Sequence, residues 1–135
     1  MTHPDLNTVS RFFAAIEGKD PGVVAQMYAD DVEVWHNFTR ACQDKPTNVQ
    51  TLTAMCEHVP QVRYEVLERL RLDDGRVLQR HVLRATTPSG EEILIPACLF
   101  IRVRDGKIAR IDEYLDTGQA NRLRVATGRP PIVSA

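Results

Sequence analysis

The chain has 135 residues, 43% hydrophobic and 26% charged, with 17 Lys and Arg against 18 Asp and Glu and a formal net charge of −1. That length suits one domain able to bury most of the surface its unfolded form exposes, and balanced charge without a basic stripe argues against nucleic acid as a partner. No apolar run reaches the length of a membrane span, and the start Met-Thr-His-Pro-Asp has neither a basic nor an apolar leader region, so no membrane partner and a cytoplasmic location are expected.

Leu6, Val9, Phe12, Phe13 and Ile16 recur at helical spacing, which predicts a helix from about Pro4 to Glu17 with Gly18 at C′. Asp20-Pro21, an N-cap followed by proline at N1, opens a short second helix ending near Ala29, with Val24, Met27 and Tyr28 packing inward. The segment from Asp31 to Phe38 alternates and reads as a strand, with Val32, Val34 and His36 on one face and Glu33, Trp35 and Asn37 on the other. Thr39 to Lys45 reads as a loop. Asp44 caps a third helix to about His58, with Val49, Leu52, Met55 and Cys56 as its apolar stripe and Pro60 closing it.

Asp74-Gly75 between alternating apolar residues predicts a hairpin with a two-residue turn, because glycine takes the positive φ such a turn needs. Counting back from Asp73 opposite Arg76 pairs Leu70 with Gln79, Glu68 with His81, Val66 with Leu83 and Tyr64 with Ala85. That face is mostly apolar. The other carries Arg63, Glu65, Arg69, Arg71, Arg76, Arg80 and Arg84, with Glu65 placed to pair with Arg84. After the turn cluster Thr86 to Gly90 comes Glu92 to Arg104, apolar on both faces and therefore expected to be covered on both. Arg104-Asp105-Gly106-Lys107 makes a second Asp-Gly hairpin, pairing Phe100 with Ile111 and Cys98 with Glu113. Thr117 to Thr127 has weak helical character, and Gly128-Arg129-Pro130-Pro131 ends order, leaving 128–135 as a loose tail. The pattern predicts one α+β domain over 1–135, helices first and a mainly antiparallel sheet of at least five strands last.

The candidate chemistry lies among a few polar residues on covered faces. Burying a carboxylate or an imidazole is costly unless it is paired, and Glu68 and His81 are predicted side by side. Glu113 is the acid with apolar neighbours, Ile111 and Leu115. An even loop at Pro88 would put Glu68, His81, Cys98 and Glu113 in one row; an odd loop or a bulge would instead turn Asp112, Tyr114 and Asp116 inward. His36, at a strand end opening into a loop, is a third candidate. Glu68 with His81 also reads as a satisfied structural pair, and Trp35 as core or interface. The three cysteines, Cys42, Cys56 and Cys98, stand at no zinc spacing and read as small core residues of a reducing compartment. A metal held by His36, His81 and a carboxylate has no ligand spacing to support it, so no metal and no cofactor are expected. The dinucleotide, phosphate-loop and nucleophile-elbow fingerprints are missing.

From Leu6 to Asp116 the chain resembles the nuclear transport factor 2-like superfamily, and within it the SnoaL-like, ketosteroid-isomerase-like group. The resemblance rests on the amphipathic first helix, on Met27-Tyr28-Ala29-Asp30-Asp31-Val32 leading into Val34-Trp35-His36-Asn37, and on Val103-Arg104-Asp105-Gly106-Lys107-Ile108 with Glu113-Tyr114-Leu115-Asp116. It implies a cone-shaped roll, a curved sheet wrapped on three N-terminal helices around an apolar pocket, usually in a homodimer formed through the outer sheet face. By position, His36 falls where ketosteroid isomerases keep an aspartate base, and Glu113 where epoxide-hydrolase and polyketide-cyclase branches keep a catalytic aspartate. The isomerases' acidic oxyanion partner falls near Cys98 or Leu99, and the epoxide hydrolases' Arg-x-Asp near Gln79 and His81, so neither mechanism carries over whole. The expectation is an acid–base enzyme acting on an apolar carbonyl- or epoxide-bearing molecule, or a non-catalytic binder with the same fold. Glu113 or His36 would be the base, with His81, oriented by Glu68, as acid or hydrogen-bond donor. Tyr28, Trp35, Asn37, Gln79 and Cys98 are the expected ligand-binding residues. Ile93, Ile95, Ala97, Leu99, Ile101 and Val103, lining one face of a doubly apolar strand, motivate the homodimer.

Overall fold

The structure, a computed structural model, describes residues 2–132. Three helices come first: α1 (Pro4–Glu17), α2 (Pro21–Met27) and α3 (Lys45–His58), with β1 (Tyr28–His36) and β2 (Ala41–Gln43) between the last two. The helix starts are set by side chains that satisfy otherwise orphaned backbone donors: Asp20 accepts from Val23 N and Asp44 from Thr47 N, each followed by proline in the first turn. Then come β3 (Gln61–Arg71), β4 (Val77–Thr86), β5 (Glu92–Arg104), β6 (Lys107–Leu115) and α4 (Thr117–Ala126). The strands form one curved, open sheet in the order β2-β1-β6-β5-β4-β3. Neighbours are antiparallel except β1 and β6, which run parallel and make the sheet mixed. The fold class is α+β, as expected. The predicted loop Thr39 to Lys45 contains the short edge strand β2.

The inner sheet face is covered by α1, whose Val9, Phe12, Phe13 and Ile16 pack with Val77, Leu99, Ile101, Ile108 and Ile111. A second cluster, Val59, Val62, Ala85, Ile93 and Ile95, is closed by Leu123 of α4. So Ile93, Ile95, Leu99 and Ile101, four of the six residues behind the expected dimer, are spent on the core. The outer face of β5 carries Leu94, Pro96, Cys98 and Phe100 instead.

Three register details decide which side chains meet. At the first hairpin Leu72 N–H donates to Arg76 O, and Gly75, with φ +88°, ends a three-residue loop rather than the two-residue turn expected. Glu68 therefore stands opposite Arg80, and a bulge between Val66 and Glu68 returns Tyr64 to the inner face. Arg84 still reaches Glu65, at 2.8 Å, diagonally. At Pro88 the loop is odd, so His81 faces Ala97 and not Cys98. A further bulge between Arg102 and Val103 places Glu113 opposite Leu99 and Phe100 opposite Asp112. The two shifts cancel: Glu113 points inward, while Asp112 and Tyr114 lie on the outer side.

The expected loose tail lies partly outside the described residues. Its described part, 128–132, returns along α4: Ile132 N–H donates to Asn121 Oδ1 at 2.7 Å, Asn121 Nδ2 to Ile132 O at 2.9 Å, and Arg124 Nε to Pro130 O at 2.8 Å.

Candidate active site

A cavity of about 260 Å³ lies between the inner sheet face, α3, and α4 with the segment after it. His36, His81 and Glu113 all line it. The parallel β1–β6 register sets His36 beside Glu113, and His36 Nε2 stands 3.0 Å from Glu113 Oε1. About a fifth of each side chain remains exposed, 19% and 20%, so the pair is shielded yet reachable from the cavity.

His81 is 2% exposed and held by a short relay. Arg69 Nε donates to Gln79 Oε1 at 2.6 Å, and a guanidinium can only donate, so the amide nitrogen of Gln79 is the end that faces His81 Nδ1 at 2.8 Å. Nδ1 is thus the acceptor, and the ring proton sits on Nε2, which has no partner among the described residues in a residue that lines the cavity. Burial pushes the His81 pKa down from 6.5 to about 4, with Arg69 adding to the fall and the Glu113 charge opposing it. His81 is a neutral N–H donor at physiological pH. Because the unfolded imidazole takes up a proton that the buried ring refuses, its contribution to stability is whole above about pH 6.5 and is lost as pH falls toward about 4. Urea unfolding followed across that window should show the loss in the wild type and a flatter profile in His81→Gln.

Other polar groups gather around the same carboxylate. Burial, with the Glu113 charge adding, pushes the Tyr28 and Tyr64 phenols up, so both stay protonated. Tyr64 lines the cavity and stacks edge-on to His81 at 4.8 Å. Tyr28 does not line it; its hydroxyl donates to Asn48 Oδ1 at 2.5 Å, and Asn48, buried on α3, lines the cavity and donates to Gln43 Oε1 at 2.9 Å.

The structure thus brings His36, His81 and Glu113 together and sets Tyr28 and Gln79 behind them. Four expected site residues lie elsewhere. Glu68 is on the outer face, taken from His81 by the three-residue hairpin loop, and pairs with Arg80 at 2.9 Å. The role expected of Glu68, orienting His81, belongs to Gln79. Cys98 is also outward, opposite Arg80 and Tyr114. Trp35 stacks on Tyr114, centroids 5.1 Å apart, away from the cavity. Asn37 clamps backbone: its Nδ2 donates to Leu115 O at 3.2 Å and its Oδ1 accepts from Leu115 N at 3.1 Å.

Sequence reasoning missed Tyr64, Asn48, and the closure by α4 with Arg124 and Arg129. Signals for two of these stand in the chain. Asn48 shares the helical stripe of Leu52 and Met55, and Asp116 caps α4 by accepting from Gln119 N at 3.0 Å. Among the described residues no cluster of three or more metal-ligating side chains occurs, and no helix is long and apolar enough to cross a membrane.

A family model for a SnoaL-like domain matches residues 9–111, ending just before Glu113. No curated protein sequence matches the chain. Among solved structures, a protein assigned as a SnoaL-like polyketide cyclase from Shewanella putrefaciens CN-32 superposes with a TM-score of 0.77 at 10% identity, over 91% of this chain and 97% of that one. An NTF2-like protein of unknown function from Burkholderia pseudomallei K96243 gives 0.76 at 17% identity, over 90% and 98%. A protein with a ketosteroid isomerase-like fold from Catenulispora acidiphila DSM 44928, in complex with trimethylamine, gives 0.72 at 15% identity, over 95% and 97%. At such identities the likeness is one of fold.

Proposed function

The chain belongs to the family of SnoaL-like domains, and we propose that it is an isomerase-, cyclase- or hydrolase-type enzyme working by acid–base catalysis on a small apolar molecule bearing a carbonyl or epoxide. The observation that carries this reading is the 3.0 Å contact of His36 and Glu113 in the cavity that His81 also lines. Glu113 is the base, and the His36 imidazole, with Nε2 3.0 Å from Oε1, holds its carboxylate in place. With a ketone, Glu113 takes the proton from the carbon beside the carbonyl, the C–H electron pair moves into the carbonyl, and the oxygen becomes an enolate. His81 Nε2–H, neutral and fixed by Gln79 and Arg69, donates a hydrogen bond to that oxygen without giving up its proton, and the Tyr64 hydroxyl is a second donor. Return of the proton from Glu113 to another carbon completes an isomerisation. Acid, base and donor are all side chains, so no step calls for a cofactor.

The second reading, a non-catalytic binder of small ligands or protein partners, is favoured by one observation: the structurally similar Catenulispora acidiphila protein was solved with trimethylamine. Turnover separates the two. A compound held tightly and never turned over, through a screen of small ketones, lactones and epoxides, supports the binder and contradicts the enzyme.

We also propose that the outer sheet face pairs with a second copy of the chain, because Leu67, Leu70, Leu94 and Tyr114 are exposed on β3, β5 and β6. Light scattering at micromolar concentration should report the mass of two chains, and Leu94→Glu should return one. A wild-type monomer refutes this.

A further inference from the structure

We propose that Arg124 and Arg129 form an anion-recognition subsite in this cavity, and that the ligand therefore carries a carboxylate in addition to its apolar, reacting part. Both arginines line the cavity beside the apolar Leu123 and Ile132. Arg129 Nε is buried and has no hydrogen-bond partner among the described residues. A buried N–H of a charged group left unpaired costs more than an ordinary hydrogen bond gains, so such a group points to something that belongs beside it. Arg124 spends its Nε on Pro130 O, and neither guanidinium pairs with a carboxylate among the described residues. Other arginines behave differently: Arg122, also on α4, pairs with Glu91, and Arg110, on β6, with Asp112 and Glu33.

The subsite is held rigidly. Arg129 N–H donates to Arg124 O at 2.7 Å, and the two hydrogen bonds between Asn121 and Ile132 pin the segment beyond α4. Burial and the neighbouring Arg124 charge both pull the Arg129 pKa down, as happens when like charges meet without a counter-ion. A carboxylate between them would relieve the repulsion and fill the empty donor position with charge-assisted bonds. It would also orient the ligand. Glu113 repels an anionic end, so the carboxylate goes to α4 and the neutral, reacting end to the sheet.

The inference rests on the proposed reaction site only in sharing its cavity, and its test is binding alone. The probes are 2-naphthoate and its uncharged counterpart 2-acetonaphthone, titrated calorimetrically into wild type, Arg129→Met, Arg129→Lys, Arg124→Met and Glu113→Gln. The wild type should bind the carboxylate about tenfold or more tightly than the ketone. Arg129→Met should abolish that preference and leave the ketone's affinity within about twofold, with Arg129→Lys retaining part of the preference. If Arg129→Met fails to fold, Arg124→Met and Arg129→Lys carry the test by a graded loss. Glu113→Gln should keep the preference, so undiminished turnover in that variant would sink the assignment of Glu113 as base and leave this proposal standing. No excess affinity for the carboxylate in the wild type, whether both probes bind alike or neither binds, overturns the proposal. So does a preference that survives every arginine variant.

Discussion

Glu113→Gln should bind ligand about as well as the wild type and turn it over roughly a hundredfold or more slowly, the ordinary size of a general-base contribution. The amide keeps the shape of the carboxylate beside His36 Nε2, which stands 3.0 Å from Glu113 Oε1, so the cavity wall stays in place. What is lost is the site that takes the proton. His36→Gln should cost less, because a glutamine there can still donate to Glu113 and hold the base. Steady-state kinetics on one turned-over compound, with affinity measured in parallel, checks both. Full activity in both variants would move the chemistry to other cavity residues.

Phe13→Ala should be the most damaging of the core truncations that bear on the site, at about 3–5 kcal/mol. Phe13 is 5% exposed, and its ring meets Tyr64 at 4.8 Å, Phe12 at 5.1 Å and His81 at 5.4 Å, all edge-on. It therefore supports from α1 the two side chains that would donate to an oxyanion. The loss combines buried apolar surface, aromatic contacts and an unfilled hole beneath His81. Urea unfolding reads the stability. A cost below about 1 kcal/mol would mean that α1 does not support the cavity floor.

The helices and hairpins were legible because their signals are local. Asp20-Pro21 and Asp44 fix helix starts through a single side chain each, and Asp105-Gly106, with φ of +53° and +76°, closes a two-residue turn as read. His36, His81 and Glu113 could be singled out as polar residues among apolar neighbours. Their partners could not. Which residues face His81 depends on whether the Asp74-Gly75 loop holds two or three residues, on the bulge at Val66 and on the loop at Pro88, while the side that Glu113 takes depends on that same loop and on the bulge at Arg102, and one residue of slip exchanges faces. Glu68 was misplaced by that single residue, whereas Glu113 was placed correctly only because two slips cancel. The parallel pairing that sets His36 against Glu113 joins segments more than seventy residues apart and leaves no local trace. The arginines of the closing segment were hidden for another reason: α4 has few large apolar residues, and Leu123 alone of them is buried.

Proton exchange reads out abstraction by Glu113 itself. Small apolar ketones that bind in the cavity are incubated with the protein in D2O, and the hydrogens beside the carbonyl are followed by ¹H NMR. An enzyme whose Glu113 abstracts that proton, with the enolate held by His81, washes deuterium into the position well above the buffer rate, and Glu113→Gln returns the rate to background. Exchange that is equally fast with Glu113→Gln, or no exchange in any ketone shown to occupy the cavity, would contradict the account.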